Sequence, residues 1–339
     1  MNYDLIQQDC IDWMNSQPEQ SIECIITSPP YNLDIKYGKY QDDLPREGYL
    51  KWLHDVAVAM KRVLTEEGQL FLNVGYSNVD PWVAMDVAQV FRNEFVLQNN
   101  FTWVKHIAVD DKGYGQYKPI SSKRFASATT ESIFHFTKTG NVEVDRLAIG
   151  QRNKAEDYKY PELYSEDRYI STTRRKIARK LKFQNWTDFK EKCTPTQMEQ
   201  FNEMFNTFIK ENPYDPEKKK CIGNAWYIPY TPTSKLVKEA GLGTDSGSRE
   251  LGRGNHPATY PEGLPTQCIK FSGIQSGSKV YDPFNGTGTT IVSALKLGMH
   301  GIGTDIDKEY LEFSKHRIEN VIKELKQPKN ILFEIKNNT

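Results

Sequence analysis

Ser28, Pro29, Pro30 and Tyr31 follow directly on the apolar run Ile22-Glu23-Cys24-Ile25-Ile26 and Thr27. The run reads as a strand, and two consecutive prolines, which lack the amide donor that a ladder needs, forbid its continuation. The Ser28 and Pro29 carbonyls are then left without ladder donors, beside one hydroxyl and one aromatic ring. A flat surface bordered by acceptors suits a planar group that carries an NH2.

The second segment with chemical content is Val280-Tyr281-Asp282-Pro283-Phe284-Asn285-Gly286-Thr287-Gly288-Thr289-Thr290, followed by Gly301-Ile302-Gly303-Thr304-Asp305-Ile306-Asp307. Val280 and Tyr281 end a short strand, Gly286 and Gly288 let the backbone come close to a ligand, and Thr289 to Leu297 continues as a helix. A second strand ends at Asp305. Strand, glycine turn, helix, strand and carboxylate is the order of a nucleoside-binding βαβ unit, in which the carboxylate accepts from ribose hydroxyls. Thr289, Thr290 and Ile291 follow Gly288, so the third glycine of the dinucleotide fingerprint is missing, and no Gly-Lys-Ser/Thr follows for a triphosphate. A nucleoside ligand without a pyrophosphate remains, and S-adenosylmethionine fits.

Together the two segments resemble the amino-methylating DNA methyltransferases. In that family an S/D/N-P-P-Y/F tetrapeptide stands at the catalytic strand end and an F-x-G-x-G turn binds S-adenosylmethionine. Ser28-Pro29-Pro30-Tyr31 and Phe284-Asn285-Gly286-Thr287-Gly288 match both. Their order, catalytic motif first, is similar to the circularly permuted β group. Asp9-Cys10 is similar to the acidic motif ahead of the catalytic strand, Leu64 to Leu72 to the helix-turn-strand after it, and His256-Pro257-Ala258-Thr259-Tyr260-Pro261 to the segment before the cofactor turn.

The resemblance implies an α/β fold of the S-adenosylmethionine-dependent, Rossmann-like kind: a mostly parallel sheet with helices on both faces, plus a smaller target-recognition region. It implies a catalytic set of Ser28, Pro29, Pro30 and Tyr31. Its cofactor set is Asp9, Cys10, His256, Asp282, Phe284, Gly286, Gly288, Thr289, Thr290 and Asp305, with Asp305 on the ribose and the Phe284 to Gly288 turn near the methionine part. Double-stranded DNA is the implied partner; a companion restriction endonuclease and the oligomeric state are left open.

Transfer of a methyl group to an exocyclic amine is an in-line displacement, with the nitrogen lone pair aimed along the breaking bond. That lone pair is conjugated into the base. Acceptors on both N–H groups, the Ser28 side chain and the Pro29 carbonyl, draw the nitrogen toward a pyramidal geometry, while Tyr31 stacks on a base flipped out of the duplex. Methylation at carbon 5 of cytosine would need a nucleophilic cysteine, and the chain has no Pro-Cys pair. Cytosine N4 and adenine N6 both offer an NH2 beside a ring acceptor, so the pocket argument is nearly neutral. In the resembling family Ser at the first motif position accompanies cytosine more often than adenine. The β-group adenine enzymes also tend to carry H-P-T-Q-K-P where this chain has His256 to Pro261, and both departures favour N4-cytosine. RNA or a protein amide as substrate, or a module that binds a nucleoside without catalysis, are the other classes.

The elements that must position these groups follow from periodicity. Tyr49, Leu50, Leu53, Val56, Ala57, Met60, Val63 and Leu64 recur at helical spacing and stop before Gly68; Leu70 to Val74 reads as a buried strand. Pro81 to Phe95 reads as a helix with Val83, Val87, Val90 and Phe91 inward, and Phe101 to Val104 and Ser132 to Phe136 as strands. Residues 1–148 thus form the catalytic half of an α/β domain and 226–339 the cofactor half, ending in an amphipathic helix through Leu311, Ser314, Ile318, Val321, Ile322 and Leu325.

Residues 149–225 are more polar, and residues 171–192 hold eight Lys/Arg against two Asp/Glu in a chain whose totals balance at 44 each. A charge run is usually a solvated face, but beside the two motifs Arg174, Arg175, Lys176, Arg179 and Lys180 are the expected phosphate contacts of a target-recognition region. Gly113 to Pro119 with Lys123-Arg124-Phe125 is either a cleft-lining loop or an ordinary surface loop, Trp103 either encloses the base or sits in the core, and Gly241 to Asn255 is expected to be a mobile loop. Cys10, Cys24, Cys193, Cys221 and Cys268 form no C-x-x-C pair, which argues against a zinc site or a disulfide framework. No basic leader and no stretch of about 18 apolar residues is present, so the expectation is a cytoplasmic enzyme without a membrane span.

Overall fold

A computed structural model describes residues 2–32, 42–78, 80–109, 112–115, 121, 123–152, 165–215, 219–230, 236, 238–240 and 259–326. In chain order the elements are β1 (Tyr3–Gln7), α1 (Cys10–Ser16), β2 (Ile22–Thr27), α2 (Arg46–Val63), β3 (Leu64–Val74), α3 (Val83–Phe91), β4 (Val96–Val104), β5 (His106–Val109), β6 (Lys112–Gly115), β7 (Thr130–Thr137) and β8 (Gln151–Arg152). Then follow α4 (Glu166–Lys180), α5 (Trp186–Lys192), α6 (Pro195–Glu211), β9 (Lys219–Lys220), β10 (Ala225–Tyr227), α7 (Gly263–Ser272), β11 (Lys279–Asp282), α8 (Thr289–Lys296), β12 (His300–Asp305) and α9 (Lys308–Lys326).

The chain divides into two units, residues 1–148 with 223–339, and residues 149–222. In the first, eight strands run in the order β1-β12-β11-β2-β3-β7-β4-β10. The strands from β1 to β3 are all parallel, β7 is antiparallel to both its neighbours, and β10 is parallel to β4. This is the mostly parallel sheet that the sequence resemblance implies. Such strands are buried on both faces and read as near-continuous apolar runs, as Ile22 to Thr27 does. The stripe Leu53, Val56, Ala57, Met60 and Val63 of α2 packs with Leu70, Leu72 and Val74 of β3 and Val83, Val87 and Phe91 of α3 in one core.

Three local differences from the sequence reading have physical causes. Gly68 lies within β3 and not in a turn before it, because the pairing with β2 jumps from Ile22–Leu64 to Cys24–Gln69 and residues 65–68 are absorbed as an irregularity. The third helix is confined to Val83–Phe91, with Val90 only half-buried. Ala225 opens β10, which pairs with β4, so the sheet unit resumes at Gly223, ahead of the boundary drawn at 226.

The second unit is built from α4, α5 and α6 around Ile177, Ala178, Phe189 and Phe201. Ser165 and Asn185 cap α4 and α5, and Thr194 with Gln197 forms a capping box at α6, whose first position is Pro195. Among the described residues no helix is long and apolar enough to cross a membrane.

Candidate active site

β2 and β11 are neighbours in register, Cys24 opposite Val280 and Ile25 opposite Tyr281. From β2 the chain passes through α2 to β3 on one side; from β11 it passes through α8 to β12 on the other. The strand order therefore reverses between them, and the crevice outside the carboxyl ends of such a pair is where open α/β sheets hold ligands. A cavity of about 140 Å³ occupies that crevice. Its wall is made by Asp9 and Cys10 after β1, Ser28 to Tyr31 after β2, Pro283 to Thr287 and Thr289 after β11, and Asp305 to Asp307 after β12. Gln8, Trp52, Tyr310, Thr259 and Tyr260 complete it. The two distant sequence motifs thus face one space.

On the β2 side, the Ser28 hydroxyl and the Tyr31 phenol lie 2.7 Å apart. Asn73, at the end of β3, donates from Nδ2 to the Tyr31 oxygen at 2.9 Å and to Glu131 Oε2 at 2.7 Å. Glu131 stands near the start of β7 and is paired with Lys105. The Tyr31 ring fits because residue 75 is glycine: a Cβ there would lie 2.9 Å from Tyr31 Cε2. Tyr49, fully buried on α2, donates its phenol to the Pro30 carbonyl at 2.9 Å and so anchors the turn between Pro29 and Tyr31.

On the β11 side, the Asp305 carboxylate accepts from the backbone amides of Gly286 at 2.8 Å and Asp307 at 2.9 Å. Burial pushes its pKa up to about 6, against the lowering effect of those two amides. Ile306 beside it is 38% exposed, and Phe284 packs on Trp52 with ring centroids 5.6 Å apart, so apolar walls flank the carboxylate. Asp9 caps α1 by accepting from Ile11, and burial holds the Cys10 thiol far above its ordinary pKa, which makes it an inert lining group.

Three residues expected in the cofactor set are placed elsewhere. Asp282 is absent from the cavity wall: its buried carboxylate accepts from Thr27 (2.7 Å), Thr290 (2.7 Å), Tyr260 (2.8 Å) and the Phe284 amide (3.1 Å). Four donors occupy it, and through them it ties the ends of β2 and β11 together. Thr290 spends its hydroxyl on the same carboxylate. Gly288 is absent from the cavity wall; its φ of +76° and the Ser314 Oγ of α9, which a Cβ would meet at 2.1 Å, both call for glycine here. Gly286 and Thr289 do line the cavity. Thr289 Oγ1 accepts at 2.9 Å from the fully buried Arg317, which also donates to the Thr287 carbonyl. His256 and residues 241–255 lie outside the described residues.

Trp103 is 2% exposed and donates its indole N–H to the Ile228 carbonyl, so it belongs to the core and does not enclose a base. Gly113, Tyr114 and Gly115 belong to the exposed strand β6 of a hairpin, and Gln116 to Pro119 lie outside the described residues. Lys123, Arg124 and Phe125 are exposed.

In the second unit α4 carries Arg174, Arg175, Lys176, Arg179 and Lys180, all exposed except the half-buried Arg175. Arg174 lies over the rings of Trp186 and Phe205 at 5.7 and 5.6 Å, and so also packs.

A family model described as DNA methylase, for the N6/N4 class, matches residues 22–316. The type II methyltransferase M.ScaI of Streptomyces caespitosus is 24% identical over 324 residues, 93% of this chain and 81% of the relative. The DNA adenine methyltransferase YhdJ of Escherichia coli (strain K12) is 22% identical over 323 residues, 93% of this chain and 82% of the relative. Among solved structures, the cytosine-N4-specific PvuII DNA methyltransferase aligns over 95% of this chain and 91% of its own with a TM-score of 0.59; at 16% identity that likeness is one of fold.

Proposed function

The chain belongs to the N6/N4 DNA methylase family, and from that premise we propose that it methylates the exocyclic N4 amine of cytosine in double-stranded DNA at the Ser28-Pro29-Pro30-Tyr31 strand end. The observation that carries the reading is the convergence of this strand end and the Phe284 to Gly286 turn on one cavity at the switch between β2 and β11.

The methyl donor is S-adenosylmethionine, which when bound would supply a methyl group activated on a sulfonium, with a neutral thioether as the leaving group. The residues present suit it. Asp305 offers a carboxylate to a diol, Ile306 and Phe284 offer apolar faces to a purine, and Asp9, just past the end of the neighbouring strand β1, lines the same cavity. In the acceptor role Ser28 Oγ and the Pro29 carbonyl take the two N–H bonds of the target amine and free its lone pair. Tyr31 covers the base. The methylated nitrogen becomes acidic and loses its proton to solvent, so no tuned general base is required.

Ser at position 28 supports cytosine over adenine as a family correlation. A companion endonuclease fits the same reading, as does phosphate contact by the exposed cations of α4. The deciding experiment is incubation of the pure protein with labelled S-adenosylmethionine and duplex DNA, followed by mass spectrometry of the nucleosides. N4-methylcytosine as the main product is expected; N6-methyladenine alone would transfer the assignment to adenine, and no methylated base would remove it.

A further inference from the structure

Beyond the motif itself, the strand end is wired to a carboxylate that the motif does not contain. We propose that Glu131 is a positioning residue that sets the direction of the Ser28 hydroxyl, and thereby makes the site select an amino group over a carbonyl at the target base; this rests on the amine-methylating function proposed above.

The direction follows from the partners. Glu131 is paired with Lys105 through Oε1, and its Oε2 receives Asn73 Nδ2 at 2.7 Å. The Asn73 amide must present its NH2 here, because its oxygen would face a carboxylate. Asn73 Nδ2 also reaches the Tyr31 oxygen at 2.9 Å, which therefore accepts from it. The Tyr31 proton has Ser28 Oγ at 2.7 Å and, at 3.3 Å, the Asn73 carbonyl and Glu131 Oε2, neither of which can donate; of these acceptors the Glu131 carboxylate carries the charge and makes the stronger bond. With the Tyr31 proton on that carboxylate, the 2.7 Å contact is made by Ser28 donating to the Tyr31 oxygen, the arrangement in which every contact of the cluster is used. The Ser28 proton is thus committed inward, and a lone pair is what Ser28 turns to the cavity. An amine N–H finds an acceptor there. A carbonyl at the same position meets oxygen against oxygen, a mismatch that discriminates strongly in a buried site.

Glu131→Gln tests this. A neutral amide can donate to the Tyr31 oxygen, and the Ser28 hydroxyl is then free to turn outward. With duplex DNA containing the mapped target, Glu131→Gln is expected to lower kcat about 10- to 100-fold, the scale of lost positioning, with KM for DNA and calorimetric affinity for S-adenosylmethionine nearly unchanged. The same duplex with the target amine replaced by a carbonyl should inhibit Glu131→Gln about tenfold more strongly, relative to wild type, as the discrimination is lost. In a Ser28→Ala background Glu131→Gln should have almost no further effect, since the hydroxyl it orients is gone.

Equal fold-losses in both backgrounds, or unchanged inhibition by the carbonyl duplex, would overturn the proposal. Should Glu131→Gln fail to fold, Tyr31→Phe, which keeps the ring and removes only the phenol, must show the same kcat loss and the same dependence on Ser28; independence from Ser28 would overturn it equally. Wild-type protein that methylates no exocyclic amine would instead overturn the function on which the proposal rests.

Discussion

The Thr27 hydroxyl donates to the Asp282 carboxylate at 2.7 Å, joining the last residue of β2 to the last residue of β11 across most of the chain. The strand that ends in Ser28-Pro29-Pro30-Tyr31 and the strand that ends in the glycine turn are thereby locked at the same height. Tyr260 and Thr290 add two more hydroxyls to that carboxylate, which draws the segment before α7 and the first turn of α8 to the same point. Burial holds Asp282 above the ordinary carboxylate range while the three hydroxyls and one amide act against that shift. The in-line geometry of methyl transfer depends on the separation of the two strand ends, and this knot sets it.

Asp282 is accordingly expected to matter for stability before it matters for ligand contact. Thr27→Val should cost about 1 to 3 kcal/mol, the range for leaving a buried acceptor short of a donor. Asp282→Ala should cost more than about 4 kcal/mol, as it strands three hydroxyls and an amide at once. Urea denaturation without cofactor measures both. A fully stable Asp282→Ala protein that has lost only cofactor affinity would restore the ligand role expected from the sequence.

Gly288→Ala should destabilise by about 1 to 3 kcal/mol from backbone strain alone, because φ is +76°. The clash with Ser314 Oγ adds to this. Ser314→Gly in the same chain should recover the part due to the clash and leave the part due to φ. Thermal melts of the single and double variants separate the two; no recovery would mean that the turn does not press on α9.

Much of the site was legible because its signals are local. Two prolines end a strand wherever they occur, and a glycine turn between a strand and a helix followed by Asp305 carries its own geometry. Asp282, Glu131 and Tyr49 were not legible as what they are, since their roles arise from register and packing. Glu131 reaches Tyr31 only because β7 lies antiparallel beside β3, and β7 reads as a strand without showing its direction. Tyr49 reads as one more apolar position of α2, although its phenol anchors Pro30. Trp103 shows the converse: an aromatic near the site is core when its N–H finds a backbone carbonyl.

The cations of α4 make a prediction about salt. If Lys176, Arg179 and Lys180 neutralise phosphates, their replacement by Ala should weaken binding to all duplexes alike and flatten the slope of log affinity against log salt by up to about 0.9 per lost contact. Arg174 is a poorer probe, since its packing on Trp186 and Phe205 ties it to the fold of its own unit. Fluorescence anisotropy across a salt series is the measurement. An unchanged slope returns the helix to a solvated face, and loss on one sequence alone would mean base readout.

Asp305 makes a prediction about pH. Its carboxyl titrates near 6 in the folded chain because it is buried, above its ordinary value of 3.8. A raised carboxyl pKa means that the folded state holds the proton more tightly than the unfolded state, so this group's contribution to stability is present at low pH and is lost as pH rises through about 6. Ligand affinity runs the other way. The charged form is the better acceptor for ribose hydroxyls, so S-adenosylmethionine should bind progressively more weakly as pH falls below about 6, by up to about tenfold per unit. Asp305→Asn should bind more weakly at neutral pH by about 1 to 3 kcal/mol and lose the pH dependence in this window. Calorimetric titration of both proteins between about pH 5 and 8 reads the two curves. If the wild-type affinity is flat across that range, or if Asp305→Asn retains the slope, the group that titrates is not the one that holds the ribose.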